Sequence, residues 1–491
     1  MARARPSPTL LPVSGTVHAR AGLPAAAAGY DLDPSFYDEA FQASGAPRPE
    51  YASLFAALDG MDLDGLGEDV RLAVEEREVR FRGAGGDEPF VVDPIPRVFS
   101  AEEWARLEGG LVQRVRALNA FVTDIYSDRR IIHSGRMPDR ILDGAEHFEQ
   151  DMLGVPVVGG VYAGVVGVDV VRDADGELMV LEDNVRTPSG LAYLEAALDS
   201  VDESLPAPGG PRRSTDIDWD LLGEVLRSAA PGGDGDPSVV LLSDGPINSA
   251  WWEHEVIARR LALPVVTLAD LEVEAGRLYA RVDGARRGVD VVYRRTNEDR
   301  LEDEEHRPTA IGDALLEPCR RGTLACVNAF GGGVADDKLV HAYVEEMVRF
   351  YLDEEPLISS IPTYDPCESE QRAAALDRIE ELVVKPRTGH GGHGVVICPH
   401  AEPDAVAAAA RAVAADPESY IVQETVTLSR HPTVEQGALV PRHVDLRPFV
   451  LSAGERVEAV TGGLTRVSFE PGALMVNSSQ NGGGKATWVL E

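Results

Sequence analysis

Residues 380–396, EELVVKPRTGHGGHGVV, constrain this chain more than any other stretch. An apolar strand ends at Lys385, the glycines Gly389, Gly391, Gly392 and Gly394 follow, and a second apolar run begins at once. Strand, glycine loop and strand make a hairpin whose backbone N–H groups can close on an anion while the lysine neutralises it. The order excludes two common nucleotide-binding designs. A Walker A loop needs GK[ST] ahead of a helix, and a dinucleotide fingerprint needs a helix that opens on its glycines. A surface hairpin with an exposed lysine is the bland alternative. His390 and His393 read as loop residues rather than metal ligands. A helix over 404–415 and an apolar strand over 420–423 come next, and Gln423 and Glu424 at that strand's end can offer hydrogen bonds to a purine edge and a ribose.

Any such phosphate site must work against the field of the whole chain. Lys and Arg number 46 against 82 Asp and Glu, a net charge of −36. A surface that acidic repels nucleic-acid backbones and anionic lipid, so neither is expected as a partner, whereas a small anion accompanied by Mg²⁺ escapes the objection. At 491 residues the chain has room for two to four compact units at roughly 150 residues each. Four cysteines without a CxxC pair are neither a disulfide framework nor a zinc spacing, and a reducing cytoplasm is the expectation. No run approaches the roughly 18 apolar residues of a membrane span. Residues 1–33, rich in Pro and Ala near the start, read as a flexible tail without a signal peptide.

A second hairpin lies far upstream. Residues 167–172 and 178–182 alternate in strand fashion around Asp173-Ala174-Asp175-Gly176, a turn signal. Asp169 and Glu182 therefore fall near each other on paired strands, and Glu182 and Asn184 share one face. Two carboxylates and an amide oxygen together suit Mg²⁺, with waters and phosphate oxygens completing the shell; a solvated acidic hairpin is the competing reading. Arg186 stands close enough to touch the same phosphates.

Between the hairpins, residues 238–335 alternate apolar strands with helix, the pattern of a βαβ unit with a parallel sheet and ligands beyond its carboxyl ends. Asn248, Glu253 and His254 sit where such a pocket is expected, although a helix N-cap explains part of the pattern. Residues 102–126 place Trp104, Leu107, Leu111, Val115, Leu118, Val122 and Ile125 on one helical face, and 336–353 read as a further amphipathic helix. The division expected is a tail (1–33), a helical region with the acidic hairpin (34–205), a linker region (206–237), the βαβ domain (238–335) and a nucleotide-binding region (336–491).

Lys338 in ADDK, Lys385 in VVKP, the GHGGHG loop, VQE at 422–424 and the D…(E-x-N) hairpin together resemble the ATP-grasp superfamily. The acidic hairpin precedes the lysines here, an order that resembles the circularly permuted ATP-grasp proteins related to glutathionylspermidine synthetase. Segments at 93–104, 113–126, 170–190, 292–299 and 476–490 are similar to that group, and the likeness covers roughly residues 35–490. It implies a mixed α/β and α+β chain, a circularly permuted ATP-grasp fold with a βαβ pre-ATP-grasp-like domain. By that resemblance Lys338 and Lys385 hold ATP phosphates, the loop Gly389, His390, Gly391, Gly392 and Gly394 covers them, and Gln423 and Glu424 lie at adenine and ribose. Asp169, Glu182 and Asn184 would ligate Mg²⁺, and Arg295 and Arg447 would clamp the phosphoryl group or acyl-phosphate. Lys485, in NGGGKA, would add a cation where the family more often carries GGGSKDT. The activity implied is an ATP-dependent carboxylate–amine ligase working through an acyl-phosphate on small-molecule or peptide substrates. A silent nucleotide-binding scaffold and a phosphotransferase without ligation are the alternatives.

Overall fold

A computed structural model describes residues 22–83, 86–205, 211–213, 217–232, 235–303, 305–388, 394–472 and 482–491. Its largest element is a ten-stranded sheet drawn from distant parts of the chain. The path runs Ser359–Ser360, Leu178–Asn184, Val165–Arg172, Ala438–Arg447, Leu464–Ser468, Gly482–Val489 and Val92–Phe99. Every residue of Val92–Phe99 and of Val165–Arg172 is buried, so the sheet is covered on both faces at these strands, and their charged residues Asp93, Arg97, Asp169 and Arg172 are enclosed with oppositely charged partners. One cover is the helix Ala101–Ile125. Ser100 caps it by accepting from Glu103 N at 3.2 Å, and all seven apolar positions expected on its inner face are buried in one core with Val166, Val168 and Val170.

The βαβ expectation is met by a four-stranded sheet in the order Ala325–Val327, Val291–Arg295, Val239–Ser243, Val265–Val266, with every pair parallel. An antiparallel meander, Leu271–Glu274, Arg277–Val282 and Ala285–Val289, is inserted within it. A third, antiparallel sheet orders Thr363–Tyr364, Tyr420–Glu424, Leu382–Pro386 and Val396–Ile397. It packs Leu382, Val384 and Val422 against the helices Ser369–Asp377 and Pro403–Ala415 in a small core of its own.

Two expectations change. Residues 22–33, assigned to a flexible tail, are packed instead: Ala27, Tyr30 and Leu32 are buried, and the Tyr30 hydroxyl donates to Asp38 at 2.7 Å. Residues 1–21 lie outside the described residues. The single helix expected over 336–353 is broken into Lys338–His341, Val344–Met347 and a wide turn Val348–Leu352, because Tyr343 leaves helical geometry at φ −115° and ψ 6°.

Candidate active site

The three sheets enclose a cleft of about 840 Å³. The acidic hairpin forms one wall. Its turn closes as Asp173 accepts from Asp175 N and Glu177 N, both at 2.9 Å, and Gly176 has φ +91° with the Tyr37 ring where a side chain would stand. Near the turn Arg172 pairs with Leu178 and Val170 with Val180. Carried on unbroken, that register would set Asp169 opposite Leu181 and send Glu182 to the other face. A bulge at this point leaves Leu181 unmatched and brings Glu182 directly opposite Asp169. Glu182 and Asn184 then share the cleft face, while Asp183 turns inward to a two-pronged pair with Arg114 of the long helix at 2.6 and 2.7 Å.

Strand alternation builds the facing wall. Leu382, Val384 and Val422 point into the small core, so Val383, Lys385, Ile421 and Gln423 point into the cleft. Val383 pairs with Gln423 and Lys385 with Ile421 across the ladder. The Lys385 ammonium donates to Gln423 Oε1 at 2.5 Å, and the Gln423 amide donates onward to Thr363 Oγ1 at 2.9 Å. Burial pushes Lys385 down to about 8, helped by Lys338 and opposed by Glu182. These effects join Lys338, Lys385 and Glu182 in one electrostatic neighbourhood. Glu424 also lines the cleft, held by Tyr364 at 2.5 Å and Arg378 at 2.9 Å.

The expected metal ligands divide. Among the described residues no hydrogen bond or ion pair holds the Glu182 carboxylate, and the buried Asn184 amide has no partner for its Nδ2; a half-turn of that amide presents its oxygen instead. Asp169 faces Glu182 as expected but is fully engaged. Arg447 reaches its oxygens at 2.6 and 2.8 Å and Arg466 at 2.9 Å. Burial alone would raise Asp169, yet these two guanidinium groups outweigh it and hold the carboxyl at about 2. The free oxygen set thus narrows to Glu182 and Asn184. Among the described residues no group of three or more His, Cys, Asp or Glu is arranged to hold a metal alone. One or two protein oxygens completed by substrate phosphates is how Mg²⁺ is commonly carried, so these residues fit an Mg²⁺–nucleotide.

The cations divide as well. Lys338, Lys385, Arg295 and Arg447 line the cleft. Arg295 is clamped by Glu253 at 2.8 Å, Ser189 Oγ at 2.5 Å and the Pro188 carbonyl at 2.7 Å, so its place beside the site is fixed by the protein. Lys485 does not join them. It is wholly buried, paired with Asp93 and donating to the Pro432 carbonyl at 3.1 Å, and it is not part of the cleft lining. Gly394 is described, with φ +74°, whereas Gly389, His390, Gly391 and Gly392 lie outside the described residues.

Sequence reasoning missed the acidic rim. Asp336 binds Arg186 and Val185 N, and Arg186 also donates to Asp299 at 3.1 Å. Burial raises Asp336 to about 6 against the pull of Arg186. Asp337 caps Lys338–His341 by accepting from Leu339 N at 2.8 Å and takes Arg387 at 2.9 Å. The ADDK motif already held both aspartates. Glu253 is a structural residue: one oxygen takes Gly190 N and Ala192 N, and the other takes Arg295.

Comparison with known proteins gives a family and several relatives. The family model described as circularly permuted ATP-grasp type 2 matches residues 96–468. An uncharacterized protein of Synechocystis is 40% identical over 468 residues, covering 93% of this chain and 97% of its own. A Frankia casuarinae protein named "Putative glutamate--cysteine ligase 2-2" is 40% identical over 501 residues, covering 98% of this chain but 57% of its own. Among solved structures, a glutathione synthetase like-effector from Globodera pallida in apo form superposes with a TM-score of 0.56 at 13% identity, over 88% of this chain and 98% of that one. That last likeness concerns the fold.

Proposed function

This chain belongs to the circularly permuted ATP-grasp family, type 2, and is in general terms an ATP-grasp ligase; from that premise we infer that it joins a carboxylate to an amine through an acyl-phosphate. The observation that carries this reading is the meeting of Glu182, from the early hairpin, with Lys338 and Lys385, from the late region, in one cleft. Phosphoryl transfer needs positioning and cations wherever phosphate oxygens gather charge. Lys338 and Lys385, both in the cleft lining, bind the phosphates; Gly389, His390, Gly391 and Gly392, the expected cover with Gly394, lie outside the described residues. Gln423 and Glu424 address the adenine and ribose, between the apolar side chains Val383 and Ile421. Glu182 and Asn184 would hold Mg²⁺, which when bound would neutralise phosphate charge.

Arg295 and Arg447, themselves held by Glu253 and Asp169 in the cleft wall, are the residues we assign to clamp the phosphoryl group as a carboxylate oxygen attacks the γ-phosphorus and ADP departs. The amine nitrogen then attacks the acyl carbon, the C–N bond forms, phosphate leaves and the nitrogen gives up a proton. The relative named as a glutamate–cysteine ligase supports a C–N bond as the product. The test is Mg²⁺-dependent ADP and phosphate release from a panel of carboxylates and amines. Turnover should require both co-substrates and be lost in Glu182→Gln and in Lys385→Ala. ATP binding and hydrolysis that survive both changes would overturn the assignment.

A further inference from the structure

The cleft lining on the βαβ side differs in chemistry from the lysine wall. Phe81, Phe90 and Tyr193 form a connected aromatic surface, with ring centroids 6.0 Å apart for Phe81 and Tyr193 and 5.0 Å for Phe90 and Tyr193. Tyr193 rests in turn 5.1 Å from Trp252. The strand Arg80–Gly83 that carries Phe81 is fastened over this side. The Tyr193 hydroxyl donates to the Arg80 carbonyl at 2.8 Å, Arg82 N to the Ser249 carbonyl at 3.0 Å, and Trp252 Nε1 to the Arg77 carbonyl at 3.2 Å.

The polar groups beneath that wall are already matched within the protein. Arg295 and Glu253 neutralise each other at 2.8 Å, and the remaining Glu253 oxygen takes two backbone N–H groups. The Asn248 amide donates to Asp244 and Asn297, both at 3.1 Å. His254 lines the cleft with its Nδ1 2.8 Å from Ser243 Oγ, and burial together with Arg295 pushes it down to about 2, so the ring is neutral. None of these residues offers an unpaired carboxylate to the ammonium groups of a polycation, while the rings offer apolar area and quadrupolar edges to another ring.

We propose that this side of the cleft is the acceptor subsite and that it takes an amine bearing an aromatic or large apolar side chain, in preference to a polyamine or a small amine. The inference rests on the ligase reading for the role of the bound amine, and its test is chosen to separate the two. L-Phenylalaninamide, glycinamide and spermidine are titrated into the full chain by calorimetry, with and without Mg²⁺ and a non-hydrolysable ATP analogue. Phenylalaninamide should bind at least about tenfold more tightly than glycinamide, the scale on which pockets discriminate apolar groups.

Phe81, only half-buried on its strand, is the residue to change. Phe81→Ala should erase most of the preference and Phe81→Leu should keep part of it, with thermal unfolding confirming that both fold. Equal or tighter binding of spermidine or glycinamide, or a preference that survives Phe81→Ala, overturns the subsite. Selective phenylalaninamide binding without ADP release from any substrate pair upholds the subsite and overturns the ligase reading.

Discussion

Lys385 and Lys485 look alike in the sequence, each on an apolar strand next to a run of glycines, and they occupy opposite environments. Lys385 meets the neutral amide of Gln423 on the cleft face of a small sheet, with Lys338 and Glu182 as its charged neighbours. Lys485 is closed inside the large sheet against Asp93, with carbonyls of Ile95 and Pro432 taking its remaining protons. The glycines differ in purpose too. Gly394 adopts φ +74° to turn the chain after Lys385, whereas a side chain on Gly483 would strike the Val91 carbonyl and the Phe469 ring. Glycine next to lysine is therefore no signature of a phosphate site by itself. Lys385, beside a neutral acceptor on the cleft wall, retains its charge for a ligand, whereas Lys485 is enclosed with its own carboxylate away from the cleft.

The most forceful way to break this comparison is Lys485→Ala. Removing one partner of a buried pair strands the other charge, and a loss of about 3–5 kcal/mol is expected in chemical unfolding. The folded fraction should bind nucleotide as before. Unchanged stability with lost nucleotide binding would return Lys485 to the site. Next in size is Glu182→Gln, which removes the least encumbered oxygen ligand. Mg²⁺-dependent turnover should fall by about 10²-fold or more, while the unfolding midpoint stays nearly constant, since no described residue depends on that carboxylate for a hydrogen bond. An equal loss from Asn184→Ala would sharpen the assignment to the pair. Smaller again is Gly483→Ala, where overpacking against backbone should cost roughly 1–3 kcal/mol and leave turnover per folded molecule unaltered.

The contrast between the two lysines was not legible in the chain, although the helix and hairpin around the cleft were, and the parts that were not share a cause. The long helix was visible because its seven apolar residues keep one period. The acidic hairpin was visible because its turn residues are local. The bulge at Leu181 was not, although it is what sets Glu182 opposite Asp169. The arginines that occupy Asp169 lie 278 and 297 residues away, beyond any local pattern. The meander inserted in the βαβ region was hidden by its modest alternation, with strands such as Leu271–Glu274 half exposed along their length. Periodicity reports which face is apolar. Which charge meets which is settled by the sheet order, and that order joins strands from both ends of the chain.

The finest discrimination between the two lysines is their response to alkali. Burial holds Lys385 at about 8 in the folded chain, well below the usual lysine range, so near neutral pH it is cationic and by pH 9 it is mostly neutral. Only the cation attracts phosphate, and the affinity for Mg²⁺-free ATP should fall by about tenfold between pH 7 and pH 9 through this group alone. Stability should move the other way. Between about 8 and the higher pKa of lysine in the unfolded chain, the unfolded state binds a proton that the folded state does not, so the Lys385 contribution to stability rises with pH over that window. Lys385→Met should flatten both trends together. Lys485 is paired with Asp93, and its replacement should leave the alkaline fall in ATP affinity as steep as before; a profile that flattens on changing Lys485 rather than Lys385 would reverse their roles.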